Sequence, residues 1–295
     1  MPFTLSHAAA VLPAVRRDGS GRGRLVPSVL VAGSFAPDLT YFAASFVPGA
    51  MEFGAVTHSF AGVASVDVLI AWALVALWLL VREPLVALLP RAHQGRPAAL
   101  TRCGAPRARM RAATVLWWYV SAALGALTHV VWDAFTHHDR WGSRIFPALM
   151  GEAAGLPVYT WFQYGTSALA AVVLVVFLLR ALRWAPASVP DGSVPHGSVP
   201  HGSVPDGVPV LSARDRFLAA ALLGGCALVA ALQRMTLWWS RPNAPLLELV
   251  PTVCFGAGAG LLVGVVLYAV AVRAWRPAPA RSAVAAREPV GPRAR

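Results

Sequence analysis

Residues 112–139 read AATVLWWYVSAALGALTHVVWDAFTHHD. The part from 112 to 136 is long and apolar enough to cross a bilayer, whose hydrocarbon core of roughly 30 Å takes about 20 helical residues. It does not stay apolar. His129, Asp133 and His137 recur at i, i+4 and i+8, which on a helix draws them into one stripe. An ionisable group inside a span costs about 3 kcal/mol on insertion scales and as a rule faces the bundle interior, where it serves a function. The stretch therefore carries two expectations, a membrane-spanning helix and a polar site built on it.

Four further segments, at about 60–81, 164–184, 217–239 and 250–272, reach the same length, and a sixth, about 28–48, is apolar but interrupted by Pro37-Asp38. Composition agrees: 57% of the 295 residues are hydrophobic and 13% charged, against roughly 25% charged in soluble domains. The net charge of +12 comes from 25 basic residues, all arginine, against 13 acidic ones. If 28–48 crosses, 21 of the 25 arginines share one side with both termini and the loops 82–111 and 180–216, leaving Arg140, Arg144, Arg234 and Arg241 on the other. The positive-inside rule makes the arginine-rich side cytoplasmic. If 28–48 did not cross, Arg16, Arg17, Arg22 and Arg24 would lie outside, so six spans is the better reading. Trp117, Trp118, Trp184, Trp238, Trp239 and Trp275 fall at helix ends, as an interfacial aromatic belt would. The expected fold is all-α: a polytopic membrane helix bundle of about six transmembrane helices, N- and C-termini cytoplasmic, in the cytoplasmic membrane.

Cys103, Cys226 and Cys254 are too scattered for a disulfide framework or a paired-cysteine metal site. The first arginines follow the apolar N-terminal stretch, the reverse of a secretory signal, so that stretch is expected to be retained. Residues 188–207 repeat SVPDG, SVPHG, SVPHG, SVPDG, a Pro/Gly density that favours an extended linker. The expected organisation is a four-span domain (1–184), a repeat linker (185–216), a two-span hairpin (217–272) without evident site residues, and an Arg-rich tail (273–295). His93 and the arginines from 102 to 111 read as topogenic charge in contact with anionic lipid headgroups. They follow loop topology and not one helix face, which argues against nucleic acid.

The polar residues concentrate in the first 140. Asp38 lies in GSFAPDLTYF, His58 in THSF at the start of the second span, and Asp67 one third of the way along it. With a loop of about ten residues between spans one and two, Asp38 can approach His58 and the stripe if the chain is unwound or shallow at Pro37. Carboxylates and neutral imidazoles suit zinc, or a pair of divalent ions that activate water. His7 joins only if residues 3–15, too short to span, form a re-entrant or bundle-buried helix. On the bland reading His129 donates to a helix carbonyl, Asp133 accepts from near neighbours, and His137, His138 and Asp139 are loop residues. Asp67 reads as a packing or hydrogen-bonding residue.

The stretches MPFTLSHAAAVLP, GSFAPDLTYF, THSF, GALTHVVWDAFTHHDRW and LPVYTWFQYGTS, in this order over residues 1–184, resemble the bacterial membrane-protein family catalogued as domain of unknown function 4184, which brings no activity with it. More loosely, His7, Pro37-Asp38, Thr57-His58-Ser59 and His129-x-x-x-Asp133 resemble the motif order of membrane-bound metal-dependent hydrolases, with Thr40 in place of a second Asp and no His-Arg before Thr57. Looser still is the similarity to zinc-dependent phospholipases C, which implies His7, Asp38, His58, His129, Asp133 and His137 as metal ligands; a further His-x-x-x-Glu of that family is missing.

Two functions remain open at this level. One is a metal-dependent hydrolase of the membrane surface acting on a phosphoester or lipid-like substrate, with zinc, manganese or iron as cofactor and Asp38 as ligand or general base. The other is a non-enzymatic transporter, proton relay or scaffold that uses intramembrane Asp and His.

Overall fold

The computed structural model describes residues 3–103, 112–138, 140–185, 207–242 and 246–276. Most of the repeat linker, the run 104–111, Asp139 and the tail beyond 276 lie outside the described residues. A short helix, α1 (Pro27–Phe35), precedes α2 (Val66–Ala87), α3 (Ala112–Thr136), α4 (Val158–Trp184), α5 (Ala213–Trp239) and α6 (Leu249–Trp275). Among the described residues, five helices are long and apolar enough to cross a membrane, α2 to α6. The fold is an all-α membrane helix bundle. Two-residue strands, Glu152–Ala153 and Leu156–Pro157, pair in the connection between α3 and α4.

The segment 28–48 is two pieces. α1 stops at Phe35, a 3-10 turn covers Ala36–Asp38, and Leu39–Ala43 forms a second short helix. Pro37 has no N–H for the carbonyl four residues back and its ring disfavours helix in the residue before it, so the chain turns just ahead of Asp38. The second span likewise begins later than expected: Phe60–Ala64 is its own short helix, and Ser65 (φ −132°, ψ −89°) separates it from α2.

α1 lies against α3 at backbone contact. A Cβ on Gly33 would sit 2.3 Å from the Ala122 carbonyl oxygen, and one on Gly125 would sit 2.2 Å from that of Leu30. Lipid gives helices no hydrophobic reason to associate, so residues small enough for close approach decide where they do. The Val26 N–H donates to Ser121 Oγ at 3.0 Å, and Val29, Ala32, Val68, Ala71, Val75 and Ala122 close the core where α1, α2 and α3 meet. The run Thr4–His7, Ala8–Val11 and Leu12–Ala14 is helical, too short to span, and packed on α1, α3 and α4. His7 is thus buried within the bundle. The chain then leaves for the opposite end, where Cys103 Sγ donates to the Asp18 carbonyl at 3.2 Å.

Arginines from different segments gather at that end. Glu83 of α2 meets Arg82 at 2.8 Å, Arg273 at 3.6 Å and Arg102 at 3.7 Å. Pro84 lies inside α2 and cannot donate to the Leu80 carbonyl. Arg273 of α6 does so instead, from Nε at 3.0 Å and Nη2 at 2.6 Å, while the Tyr268 hydroxyl donates to the Pro84 carbonyl at 2.7 Å. At its other end the α5/α6 hairpin reaches the broken first segment. Arg234 donates to the Tyr41 carbonyl at 2.7 Å and to Ser45 Oγ at 3.0 Å, and the Phe255 ring packs edge-on against Tyr41 and Phe42. The hairpin is thus docked at both ends by polar contacts.

Candidate metal centre

The stripe on α3 comes out as expected, with His129 and Asp133 buried in the last two turns of the helix and His137 just past its end. His129 Nδ1 lies 2.7 Å from the Ser34 carbonyl near the end of α1. A carbonyl only accepts, so Nδ1 carries the proton and the lone pair of the neutral ring is on Nε2. His58, at the C-cap of the helix Gly54–Thr57, is held the same way: its Nδ1 lies 3.0 Å from the Gly54 carbonyl. The bland reading of His129 as a donor to a helix carbonyl is therefore true of one nitrogen, and it is what aims the other.

Both Nε2 atoms face carboxylates. His129 Nε2 is 3.4 Å from Asp38 Oδ1 and 3.4 Å from Asp133 Oδ2. His58 Nε2 is 3.5 Å from each of the same two oxygens. Asp38 reaches this point because the turn at Pro37 places it there, and its Oδ2 accepts a hydrogen bond from Thr4 Oγ1 at 2.6 Å. One ligand atom each from Asp38, His58, His129 and Asp133 falls within 4.8 Å of all the others.

The separations bear on what could lie between these groups. Imidazolium N–H donating to carboxylate makes bonds of about 2.7–2.9 Å, and these separations are longer; His58 Nε2, His129 Nε2 and Asp38 Oδ1 have no hydrogen-bond partner although all are buried. Ligand bonds of about 2.1 Å in tetrahedral arrangement set neighbouring ligand atoms about 3.4 Å apart. Four of the separations between the two imidazoles and the two carboxylates match that edge. Backbone carbonyls holding the far ring nitrogens, and Thr4 holding the far oxygen of Asp38, are what outer-shell partners of metal ligands do. This buried cluster could bind a metal ion.

His7 and His137 adjoin the four. The His7 ring stacks on His129 with centroids 3.5 Å apart, and its Nε2 lies 3.4 Å from Asp133 Oδ1. Burial, reinforced by the neighbouring His129, pushes the His7 imidazole down to about 3, keeping it in the neutral form that metals bind. His137 Nδ1 lies 3.6 Å from the same oxygen, at the open edge of the cluster where its side chain is 26% exposed. The six residues expected from the sequence thus meet at one place. His138 turns away, its ring edge-on to Tyr159 with centroids 6.0 Å apart.

Other residues were not anticipated. Thr4 precedes His7 by three residues in a 3-10 turn, the spacing that puts two side chains on one face, and that was its signal. Tyr41 packs 5.4 Å from the His58 ring, and Arg140 lies within electrostatic reach of its hydroxyl; nothing local in the sequence marks either. Asp67 is fully buried within electrostatic reach of His58 and His129, and neither of its oxygens has a hydrogen-bond partner, so the hydrogen-bonding role expected for it is not realised among the described residues.

A family model described as Domain of unknown function (DUF4184) matches residues 1–270. No curated protein and no solved structure matches the chain.

Proposed function

The chain belongs to this family of unknown function, whose match runs through both the Asp/His bundle and the hairpin, and we propose that it is a metal-dependent hydrolase of the membrane surface, acting on a phosphoester or lipid-like substrate. One observation carries the reading. Two imidazoles with their Nδ1 protons committed to the Ser34 and Gly54 carbonyls turn Nε2 lone pairs toward two carboxylates, 3.4–3.5 Å away, with no hydrogen bond between them. Lone pairs and carboxylates converging in a buried space repel one another unless a cation or a proton lies among them, and the separations exceed those of imidazolium–carboxylate hydrogen bonds.

Asp38, His58, His129 and Asp133 hold the ion in this reading, with Asp38 a ligand and not a separate base. Mixed imidazole and carboxylate donors at this spacing favour zinc, with manganese and iron as the next candidates. A divalent ion supplies Lewis acidity toward a phosphoryl oxygen and lowers the pKa of water. The chain's own residues do the rest: Ser34, Gly54 and Thr4 orient the ligands, and Arg140, within electrostatic reach of Tyr41 beside His58, offers a positive charge to an anionic substrate. By the distribution of arginines the centre lies at the outer end of the bundle in the cytoplasmic membrane.

The test is metal analysis of detergent-purified protein beside its His129→Ala and Asp133→Asn variants, followed by a panel of phosphodiesters and phospholipids with product detection. Stoichiometric zinc, manganese or iron that both variants lose, together with metal-dependent product release, is the expected result. Protein without bound metal would overturn the reading, and cation or proton flux in vesicles without hydrolysis would replace it with transport.

A further inference from the structure

Two connections at the end of the bundle that holds the Asp/His cluster are strongly apolar. The first, between the broken segment and α2, exposes Phe46, Val47, Met51, Phe53, Val56 and Phe60, with Phe46 54% and Phe60 60% exposed. The second, between α3 and α4, exposes Ile145, Phe146 and Met150. Formal charge is sparse in both: Glu52 alone from Leu39 to Val66, and Arg144 and Glu152 from Trp141 to Gln163. Aromatic rings join the two around the end of α3. Phe60 lies 6.3 Å from Trp141, Trp141 5.4 Å from Phe135, and Phe135 5.9 Å from Phe146, centroid to centroid. Surfaces in contact with water rarely carry so large an apolar patch. On one side it continues through Trp161 and Phe162 to Leu169 and Val172, the outward wall of α4. On the other, Phe46 lies with Val229 and Val263 along the groove between α5 and α6.

Helix register sets the depth of this collar. Arg234, which donates to the Tyr41 carbonyl, is five residues before Trp239 at the end of α5. Gly258, on which the Phe42 ring packs, is nine residues past Leu249 at the start of α6. At 1.5 Å per residue these contacts lie about 8 and 13 Å inward of the outer end of the hairpin, where exposed Trp239 has the place of an interfacial anchor. Tyr41 packs against His58, which carries the same level across to the Asp/His cluster. The first connection is also folded for a medium without water. Turns of the i to i−3 and i to i−4 kind pair the backbone N–H groups of residues 44–47 and 54–59, groups for which hydrocarbon offers no partner. In the second, the Trp161 indole N–H donates to the Ala153 carbonyl at 2.8 Å, so the ring can face lipid with its one polar group satisfied.

We propose that both connections are inserted in the leaflet remote from the end where Glu83 meets its arginines, and that their apolar collar contacts acyl chains, placing the Asp/His cluster below the headgroups. The partner of this surface is the phospholipid bilayer: the collar continues the walls of the spanning helices, and it lacks the charge that a polar partner would need. Nothing in this placement depends on what the cluster binds. Apolar side chains that enter a leaflet by about 5–10 Å are what hold interfacial segments in place, and Arg144, at the rim of the second connection, is long enough to keep its charge among the headgroups.

The experiment is nitroxide labelling of the full chain in phosphatidylcholine vesicles, with Cys103, Cys226 and Cys254 first replaced by alanine. Labels go on the collar at Phe46→Cys, Val56→Cys and Phe146→Cys, on α4 at Val172→Cys as the lipid-facing reference, and beyond Trp239 at Arg241→Cys as the water-facing one. Electron paramagnetic resonance reads how often each label collides with oxygen, which concentrates in hydrocarbon, and with a neutral nickel chelate, which stays in water. The expected result is that the collar labels shift to the Val172→Cys pattern, open to oxygen and shielded from nickel. Nickel accessibility on the collar equal to that of Arg241→Cys would overturn the proposal. So would collar labels that neither reagent reaches, which would mean that protein, such as a second copy of the chain, covers this surface. The three collar sites are exposed and fall in two separate connections, so the loss of one variant to misfolding leaves the others to decide.

Discussion

His129 donates its Nδ1 proton to the Ser34 carbonyl at 2.7 Å, across the contact between α3 and α1. The end of α1 just ahead of Pro37 and the aim of His129 Nε2 toward Asp38 and Asp133 are thus linked. Outer-shell partners of this type are worth 10–100-fold in metal affinity. Thr4, which holds Asp38 Oδ2 at 2.6 Å, can be tested without touching a ligand. Thr4→Val is expected to weaken zinc binding by about 10–100-fold, measured by competition with a chelator of known affinity, with helix content unchanged.

Removing metal is expected to lower the melting temperature. An ion at 100 times its Kd adds about 2.7 kcal/mol to stability, and its loss leaves Asp38 and Asp133 buried and facing each other's histidines. Thermal unfolding in detergent after dialysis against a chelator checks this. Recovery on adding back zinc is expected; an unchanged melting temperature counts against metal binding.

Gly125→Val is expected to destabilise the bundle by at least about 2 kcal/mol, because overpacking displaces backbone and its Cβ would lie 2.2 Å from the Leu30 carbonyl oxygen. Gly165→Ala on α4 is the contrast, since a Cβ there meets nothing within 4 Å. It is expected to be neutral or mildly stabilising, as alanine is the better helix former. Thermal unfolding of the two variants side by side is the check.

Arg234→Ala is expected to cost about 2 kcal/mol, the usual worth of a hydrogen bond to a charged group, because it frees the Tyr41 carbonyl and Ser45 Oγ together. Metal content is expected to stay as it was. Loss of metal in this variant would instead mean that the hairpin holds the centre in shape.

Arg273→Ala leaves the Leu80 carbonyl without the donor that Pro84 denies it. In a Pro84→Ala background the helix can supply its own N–H, so the same change is expected to cost about 1 kcal/mol less, a coupling of the size that neighbouring groups show. A double-mutant cycle read by thermal unfolding checks it.

How much was legible follows from how local each signal is. α3 could be read outright, since an apolar run and an i, i+4, i+8 stripe both lie within one helix, and Pro37-Asp38 marked the break in the first segment. The convergence of Asp38, His58 and the stripe also follows from short connections. His7 did not resolve, because what places it is the packing of a helical run too short to span, a tertiary fact. Nor did Arg234: a hairpin read as lacking site residues gives no hint that one arginine ties down the Tyr41 carbonyl. Asp67 was half legible: of packing and hydrogen bonding, burial without a hydrogen-bond partner leaves the first, a choice set by tertiary surroundings that no local pattern carries.

The order in which the chain emerges from the ribosome gives these distances along the sequence a further meaning. Every residue assigned to the centre lies between His7 and His137, so the whole ligand set has been synthesised once the third helix is in place. Arg234, Tyr268 and Arg273 arrive later with the hairpin, and all three fasten onto elements already present. Domains and their parts tend to form from the N-terminus onward during synthesis. On that timetable the residues of the proposed site are all in place before the last two helices arrive and close against them.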